Sequence, residues 1–79
     1  MNINRNFGIV IRKLREEKGW SQEKFAEYAE IHRTYVSEIE SGKRNISLKI
    51  AEKLAKCLDL YLSDLIKETE KINELQEFL

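Results

Sequence analysis

The stretch from Gln22 to Ser41 constrains the fold of this chain more than any other part of the sequence. It contains two short runs with apolar residues at helical spacing, one beginning at Gln22 and the other at Arg33. Ala26 lies where the two runs would cross, and only a small side chain there lets the backbones approach closely. The pattern predicts two short helices joined at an angle by a tight turn. Their shared apolar face comprises Phe25, Ala26, Ala29, Ile31, Val36 and Ile39.

Helical periodicity continues on both sides of this stretch. A first helix is predicted over residues 6–18, a fourth after the N-cap Ser47, and a fifth from Leu62 to the C-terminus. The apolar stripe comprises Phe7, Val10, Ile11 and Leu14 in the first helix, and Leu48, Ala51, Leu54, Ala55 and Leu58 in the fourth. No window alternates convincingly as a strand does. The sequence therefore predicts an all-α fold of five helices, in one domain over residues 1–79.

Charge is distributed unevenly along the chain, although the formal net charge is zero. Residues 1–58 contain 12 Lys/Arg and 8 Asp/Glu, whereas residues 59–79 contain 2 and 6. A basic face on phosphate and an acidic tail directed away from it would suit a nucleic-acid-binding protein. The apolar runs are too short to span a bilayer and the N-terminus lacks a signal-peptide core, so we expect a cytoplasmic protein.

Residues that commonly perform catalysis or bind metals are sparse. The single cysteine, Cys57, lies among apolar neighbours and is interpreted as a small buried residue. His32, the single histidine, has no metal-binding partner in the sequence and is interpreted as the residue that precedes the third helix. A glycine-rich phosphate loop is also missing from the sequence. We therefore expect no enzymatic activity, no metal and no other cofactor.

Taken together, residues 5–66 resemble the phage-repressor-like helix-turn-helix family, whose second motif helix enters the DNA major groove. The segment from Arg33 to Leu48 is similar to the controller proteins of bacterial restriction–modification systems, in which Arg-Thr-Tyr opens the third helix and Arg-Asn-hydrophobic-Ser follows it. The resemblance implies a homodimer that binds a pseudo-palindromic operator, with half-sites about 34 Å apart, and regulates transcription. A generic phage-type repressor and an antitoxin that binds a toxin remain alternatives.

The exposed arc of the third helix is the predicted reading surface. Steps of 100° per residue place it opposite Val36 and Ile39. The fork of Arg33 can bond guanine O6 and N7 together, and the methyl group of Thr34 can meet that of thymine. Glu38 would be repelled by phosphates unless it accepts from cytosine N4 or pairs with a nearby base. The predicted base-reading residues are Arg33, Thr34, Ser37 and Glu38.

A second set of polar residues is predicted to hold the DNA backbone. Its main part is the cationic loop that follows Gly42, and the family resemblance adds Gln22 at the start of the second helix. The resemblance also implies a partly buried salt bridge between Arg15 and Glu40, which would lock the first helix onto the third without contacting DNA. The predicted phosphate-binding residues are Gln22, Tyr35, Ser41, Lys43, Arg44 and Asn45.

The turn of the motif departs from the family pattern at Glu30. Glu30 occupies the turn of the motif, where relatives usually have a glycine with left-handed backbone. A residue other than glycine costs about 1 kcal/mol in that conformation. We therefore expect a small loss of stability at this turn.

The C-terminal helix carries an apolar stripe that continues beyond the residues needed for one small core. An exposed stripe of this kind would be a liability, so we expect a partner to cover it, most simply a second copy of the chain. A tail that folds back on its own core is the alternative. Residues 62–79 are thus interpreted as a dimerisation helix. The predicted interface residues are Leu65, Ile72, Leu75 and Leu79.

Overall fold

Five α-helices form the part of the chain that the structure, a computed structural model, describes: the backbone of residues 2–78 and the side chains of residues 2–72. The predicted all-α fold of five helices is confirmed. Among the described residues no helix is both long and apolar enough to cross a membrane. The helices are α1 (Ile3–Glu17), α2 (Gln22–Ala29), α3 (Arg33–Glu40), α4 (Leu48–Cys57) and α5 (Leu62–Phe78).

Side-chain caps determine where four of the helices begin. α1 starts at Ile3 rather than at residue 6, because the side chain of Asn2 accepts a hydrogen bond from the backbone N–H three residues later. Ser21 and Ser47 cap α2 and α4 in the same way, as predicted. At α3 the cap is His32, whose Nδ1 accepts from the backbone N–H of Thr34 at 3.2 Å. A histidine thus performs the role usually taken by Ser, Thr or Asp.

Among the described residues other than glycine, left-handed backbone occurs at the predicted turn and at one further position. Glu30 ends α2 with φ 56° and ψ 44°, which are left-handed values. Asp59, after α4, has a φ of 64° and was not predicted to be left-handed. Both turns therefore carry the penalty of a Cβ in a conformation that favours glycine.

The hydrophobic core lies where all five helices meet. α1 packs against α3 and α5, α2 against α3 and α4, and α4 against α5. The small side chain of Ala26 is buried between the motif helices, as their close crossing requires. The buried hydrophobic residues are Phe7, Val10, Ile11, Phe25, Ala26, Ala29, Val36, Ile39, Ala51, Leu54, Ala55, Leu58 and Leu65.

Two apolar residues lie in environments that the sequence pattern does not indicate, and for Leu65 the prediction is wrong. Leu65 was assigned to a dimer interface, but it is 0% exposed within the monomer, because the packing of α5 against α1 and α4 turns this position into the core. Leu48 belongs to the apolar stripe of α4 by its spacing, yet it is 76% exposed in the first turn of that helix. Ile72 is half-buried and packs against the same core. Leu75 and Leu79 lie outside the residues whose side chains are described.

Polar groups also enter the core region. Thr69 is fully buried and donates its hydroxyl hydrogen to the carbonyl oxygen of Leu65 at 2.9 Å, so it is satisfied within its own helix. Asn6 is buried, and its Nδ2 has no hydrogen-bond partner among the described residues. Cys57 is half-buried against the core, and burial raises the pKa of its thiol. The protonated thiol suits the predicted role of a small apolar residue.

Candidate DNA-binding interface

α3 divides into a buried side and an exposed polar side. Val36 and Ile39 are buried in the core, and Tyr35 is half-buried beside them. On the opposite side, three of the four predicted base-reading residues are exposed and the fourth, Glu38, is half-buried. Ser41, at the C-cap, is exposed on the same side. The exposed polar side therefore begins in the first turn of α3, the end that such helices direct towards base edges.

A buried ion pair fixes the position of α3 against α1. Arg15 Nε donates to Glu40 Oε2 at 2.6 Å and Arg15 Nη2 donates to Glu40 Oε1 at 3.1 Å, which makes the pair bidentate. Both side chains are at most 10% exposed. The hydrogen bond to Glu40 raises the pKa of Arg15 above its ordinary value, and this effect outweighs the opposing effect of burial. The predicted pair is thus in contact and faces the interior.

The pair of Arg15 and Glu40 also connects α2 to α1 and α3. Arg15 Nη1 donates to the backbone oxygen of Trp20 at 2.6 Å, just before α2. Gln22 Nε2 donates to Glu40 Oε1 at 3.0 Å. Gln22, predicted to hold a phosphate, is therefore also part of the structural network. Because Arg15, Glu40 and Gln22 belong to three different helices, the network orients α1, α2 and α3 relative to one another.

The loop after α3 turns back beside the exposed side of that helix. Gly42 makes the turn with a φ of 76°, and the Cβ of any other residue would lie 2.8 Å from Arg5 Cα. Arg44 consequently returns to α3, where Nε and Nη2 each donate to the carboxylate of Glu38 at 3.3 Å. The Arg44 guanidinium carbon also lies 4.9 Å from the ring centroid of Tyr35. We call these three residues, Tyr35, Glu38 and Arg44, the Arg44 cluster.

A second contact of this loop involves the first turn of α1. Asn4 Nδ2 donates to Asn45 Oδ1 at 2.7 Å. Because its oxygen is occupied in this way, the Asn45 amide group presents its NH₂ as a donor, which suits a phosphate. Asn4 was not predicted to support the interface. No periodic pattern could have indicated it, because the contact joins residues 41 positions apart.

The cationic groups of the interface differ in how far they are already neutralised. Arg33 and Lys43 are exposed and form no ion pair with any side chain of residues 2–72. Arg44 is paired with Glu38 in the free protein. Among the described residues there is also no group of three or more His, Cys, Asp or Glu that could hold a metal ion. Of these three interface cations, the two that are unpaired therefore lie at the start of α3 and in the following loop.

Two short helices, α2 and α3, are joined by a tight turn, and the exposed polar side of α3 is followed by a cationic loop. These are the features of a helix-turn-helix DNA-binding protein. Comparison with known proteins agrees with this class. A model of the helix-turn-helix family matches residues 11–65. The chain is 46% identical over 71 residues to the control protein C.MunI of Mycoplasma sp. This match covers 89% of this chain and 96% of that protein.

Further relatives narrow the class. Control protein C.BamHI of Bacillus amyloliquefaciens is 45% identical over 69 residues, covering 86% of this chain and 85% of its own length. The restriction–modification controller protein C.AhdI from Aeromonas hydrophila is 43% identical in sequence to this chain. Its crystal structure matches with a TM-score of 0.74, and the match covers 77% of this chain and 92% of that chain. The chain belongs to the helix-turn-helix family and is a DNA-binding regulator of the restriction–modification controller type.

Proposed function

We propose that this protein is a cytoplasmic bacterial regulator that binds a pseudo-palindromic operator as a homodimer. Its half-sites would be about 34 Å apart, so that two copies of α3 enter successive major grooves on one side of the DNA. By analogy with the controller proteins, the operator would lie upstream of its own gene and of a restriction gene. Occupancy of one site would activate transcription, and higher occupancy would repress it.

The exposed side of α3 is the observation that carries this proposal. Arg33 and Thr34 are free and exposed in the first turn, where they can reach base edges. Ser37 lies one turn further along the same side, while Lys43 and Asn45 lie on the adjoining loop, from which they can reach phosphates. We assign base reading to Arg33, Thr34 and Ser37. Phosphate contact is assigned to Lys43, Asn45, Ser41 and the N-terminal end of α2 at Gln22.

The homodimer is supported by the sequence of α5 rather than by the monomer's packing. With Leu65 in the core and Ile72 packed against it, a contact through α5 would depend on the apolar residues at positions 72, 75 and 79. An antitoxin that uses the same residues on a toxin is the competing function. Sedimentation of the purified chain separates the two, because a stable homodimer favours the controller and a monomer favours the antitoxin.

Selection of binding sites from a pool of random duplexes tests the function directly. The purified protein is incubated with the pool at moderate salt, and the bound duplexes are amplified and sequenced over several rounds. We expect a consensus with two-fold symmetry and half-sites about one helical turn apart. A consensus without symmetry would contradict the dimeric operator complex. Recovery of no preferred sequence would contradict sequence-specific binding altogether.

A further inference from the structure

The Arg44 cluster places a negative charge in the middle of a surface that must approach DNA. Glu38 and Arg44 are six positions apart, and their side chains are 34% and 48% exposed. They meet because the left-handed turn at Gly42 folds the loop back onto α3. A carboxylate on a DNA-facing helix weakens attraction to phosphates, so its presence here requires an explanation.

The geometry of the pair restrains the direction of the arginine. A guanidinium has five N–H donors, and Glu38 accepts from Nε and Nη2 along one edge. The remaining donors, including both on Nη1, point away from the carboxylate. The ring of Tyr35 covers one face of the same group at 4.9 Å. Arg44 is therefore held on one edge and one face, and its free edge is presented in a defined direction.

We propose that Glu38 is a specificity-determining residue that acts through Arg44 instead of contacting a base itself. It lowers affinity for DNA of any sequence, because it neutralises the charge of Arg44. In the operator complex Glu38 compensates for that loss, because it holds the free edge of Arg44 already oriented towards a hydrogen-bond acceptor on the DNA. This inference rests on the proposed function, since it requires a preferred operator.

The two effects differ between specific and non-specific DNA for a physical reason. Non-specific binding is mainly counterion release, which depends on how many cations are free to meet phosphates. Specific binding depends on fixed geometry, and a long arginine side chain loses rotamer freedom when it is ordered. Restraint by Glu38 and Tyr35 removes part of that loss before DNA arrives. The same carboxylate thus opposes the first mode and assists the second.

The test is a double-mutant cycle of Glu38→Gln and Arg44→Ala. Binding is measured by fluorescence anisotropy to the duplex recovered by selection and to a scrambled duplex, each at several salt concentrations. For Glu38→Gln we expect affinity for the scrambled duplex to rise about threefold, with a steeper salt dependence. The ratio of operator to scrambled affinity should fall by at least that factor. Glu38→Ala should lower the same ratio. This second variant excludes an effect of the introduced glutamine amide, which could itself form a hydrogen bond to a base.

Matched controls separate this mechanism from a simple change of charge. Glu16→Gln removes one carboxylate from another exposed pair, Glu16 with Arg12 at 3.4 Å on α1, and should leave the ratio unchanged. Thermal unfolding of every variant checks the fold, which should persist because so exposed a pair contributes little stability. In the Arg44→Ala background, Glu38→Gln should no longer alter the ratio.

Four outcomes would overturn the inference. An equal gain on both duplexes would show that Glu38 merely repels phosphate. The same fall in ratio with and without Arg44 would show that Glu38 reads a base directly. A wild-type protein without any preferred duplex would overturn the proposed function itself, whereas a selective wild type with an unchanged ratio in Glu38→Gln would overturn only this inference.

Discussion

At the residue scale, three cations of the interface have different environments and therefore different expected roles. Arg33 is exposed in the first turn of α3, Lys43 is exposed in the loop, and Arg44 is paired with Glu38. A free arginine at a helix N-terminus suits bidentate contact with guanine, whereas a flexible lysine suits a phosphate as a point charge. Substitutions at Arg33 and Lys43 should consequently give different patterns of loss.

For Arg33→Ala we expect a loss of about 1–3 kcal/mol per half-site and a relaxed preference at one base pair, because a bidentate contact disappears. In a dimer the effect should approach double if the half-sites act independently. Affinity for scrambled DNA should fall much less. Both duplexes are titrated at one salt concentration. Equal losses on the operator and the scrambled duplex would mean that Arg33 binds a phosphate and that Thr34 or Ser37 contacts the bases.

For Lys43→Ala we expect a similar fractional loss on every duplex, since a phosphate contact carries no sequence information. The slope of log affinity against log salt should become shallower by about 1 for each protomer that loses such a contact. Titrations from low to moderate salt measure the slope. Loss on the operator alone, with the slope unchanged, would show that the loop reads sequence at this position.

The left-handed turn at Glu30 gives a prediction about stability. Glu30→Gly should stabilise the protein by up to about 1 kcal/mol, because glycine adopts a φ of 56° without a steric penalty. Glu27→Gly, at an exposed position inside α2, serves as the control and should destabilise by about 1 kcal/mol. Urea denaturation of the three proteins compares the free energies of unfolding. A less stable Glu30→Gly variant would contradict the strain assigned to this turn.

At the element scale, the contact between α1 and α3 depends on the absence of a side chain at Gly8. A Cβ at this position would lie 2.3 Å from the carbonyl oxygen of Ile39 and 2.8 Å from that of Glu40. Backbone atoms cannot rotate away as a flexible side chain does. The close approach also sets the distance over which Arg15 reaches Glu40, so packing and ion pair are coupled.

Gly8→Ala should therefore destabilise the fold by about 1–3 kcal/mol, because the two helices must separate. The variant should also weaken DNA binding, since α3 loses its fixed position on α1. Chemical denaturation gives the first quantity and operator titration the second. Gly19→Ala is a suitable comparison: it has a φ of 74° but nothing within 4 Å of the added Cβ, so it should cost only about 1 kcal/mol. Wild-type stability in Gly8→Ala would refute the close approach.

At the scale of the whole molecule, the monomer uses part of the stripe that the sequence assigns to a partner. Leu65 completes the core and Ile72 packs against it. What remains for a homodimer along α5 lies towards its C-terminal end. The strongly exposed apolar residues Leu48 and Tyr61 lie at the first turn of α4 and just before α5, respectively.

Leu75→Glu should shift a homodimer towards monomer, because a charge would replace an apolar residue in the predicted contact. Sedimentation equilibrium measures the shift, and far-UV circular dichroism should show that most helicity remains. Lys67→Gln also lowers net charge by one, at an exposed position of α5, and should leave the dimer intact. An unaffected dimer in Leu75→Glu would move the interface to another surface.

The sequence by itself determined the features that depend on near neighbours along the chain. Helical periodicity located all five helices, and capping side chains at Ser21 and Ser47 located two of their starts. The pair of Arg15 and Glu40 joins two helices, and its prediction came from resemblance to the helix-turn-helix family and not from a local pattern. The helices and their starts were predictable because a helix repeats every 3.6 residues and the N–H groups of its first turn require a local hydrogen-bond acceptor.

Only the tertiary structure decided which surfaces meet. Periodicity marks Leu65 as apolar but does not say whether its neighbour is α1 or a second chain, and packing of α5 assigns it to the core. Likewise, no pattern in the neighbouring sequence shows that the backbone at the end of α3 packs directly against Gly8, or that Arg44 forms a hydrogen bond with Glu38. These contacts join residues on different elements, so they depend on helix crossing and on the direction of the turn at Gly42, which no repeat in the sequence encodes.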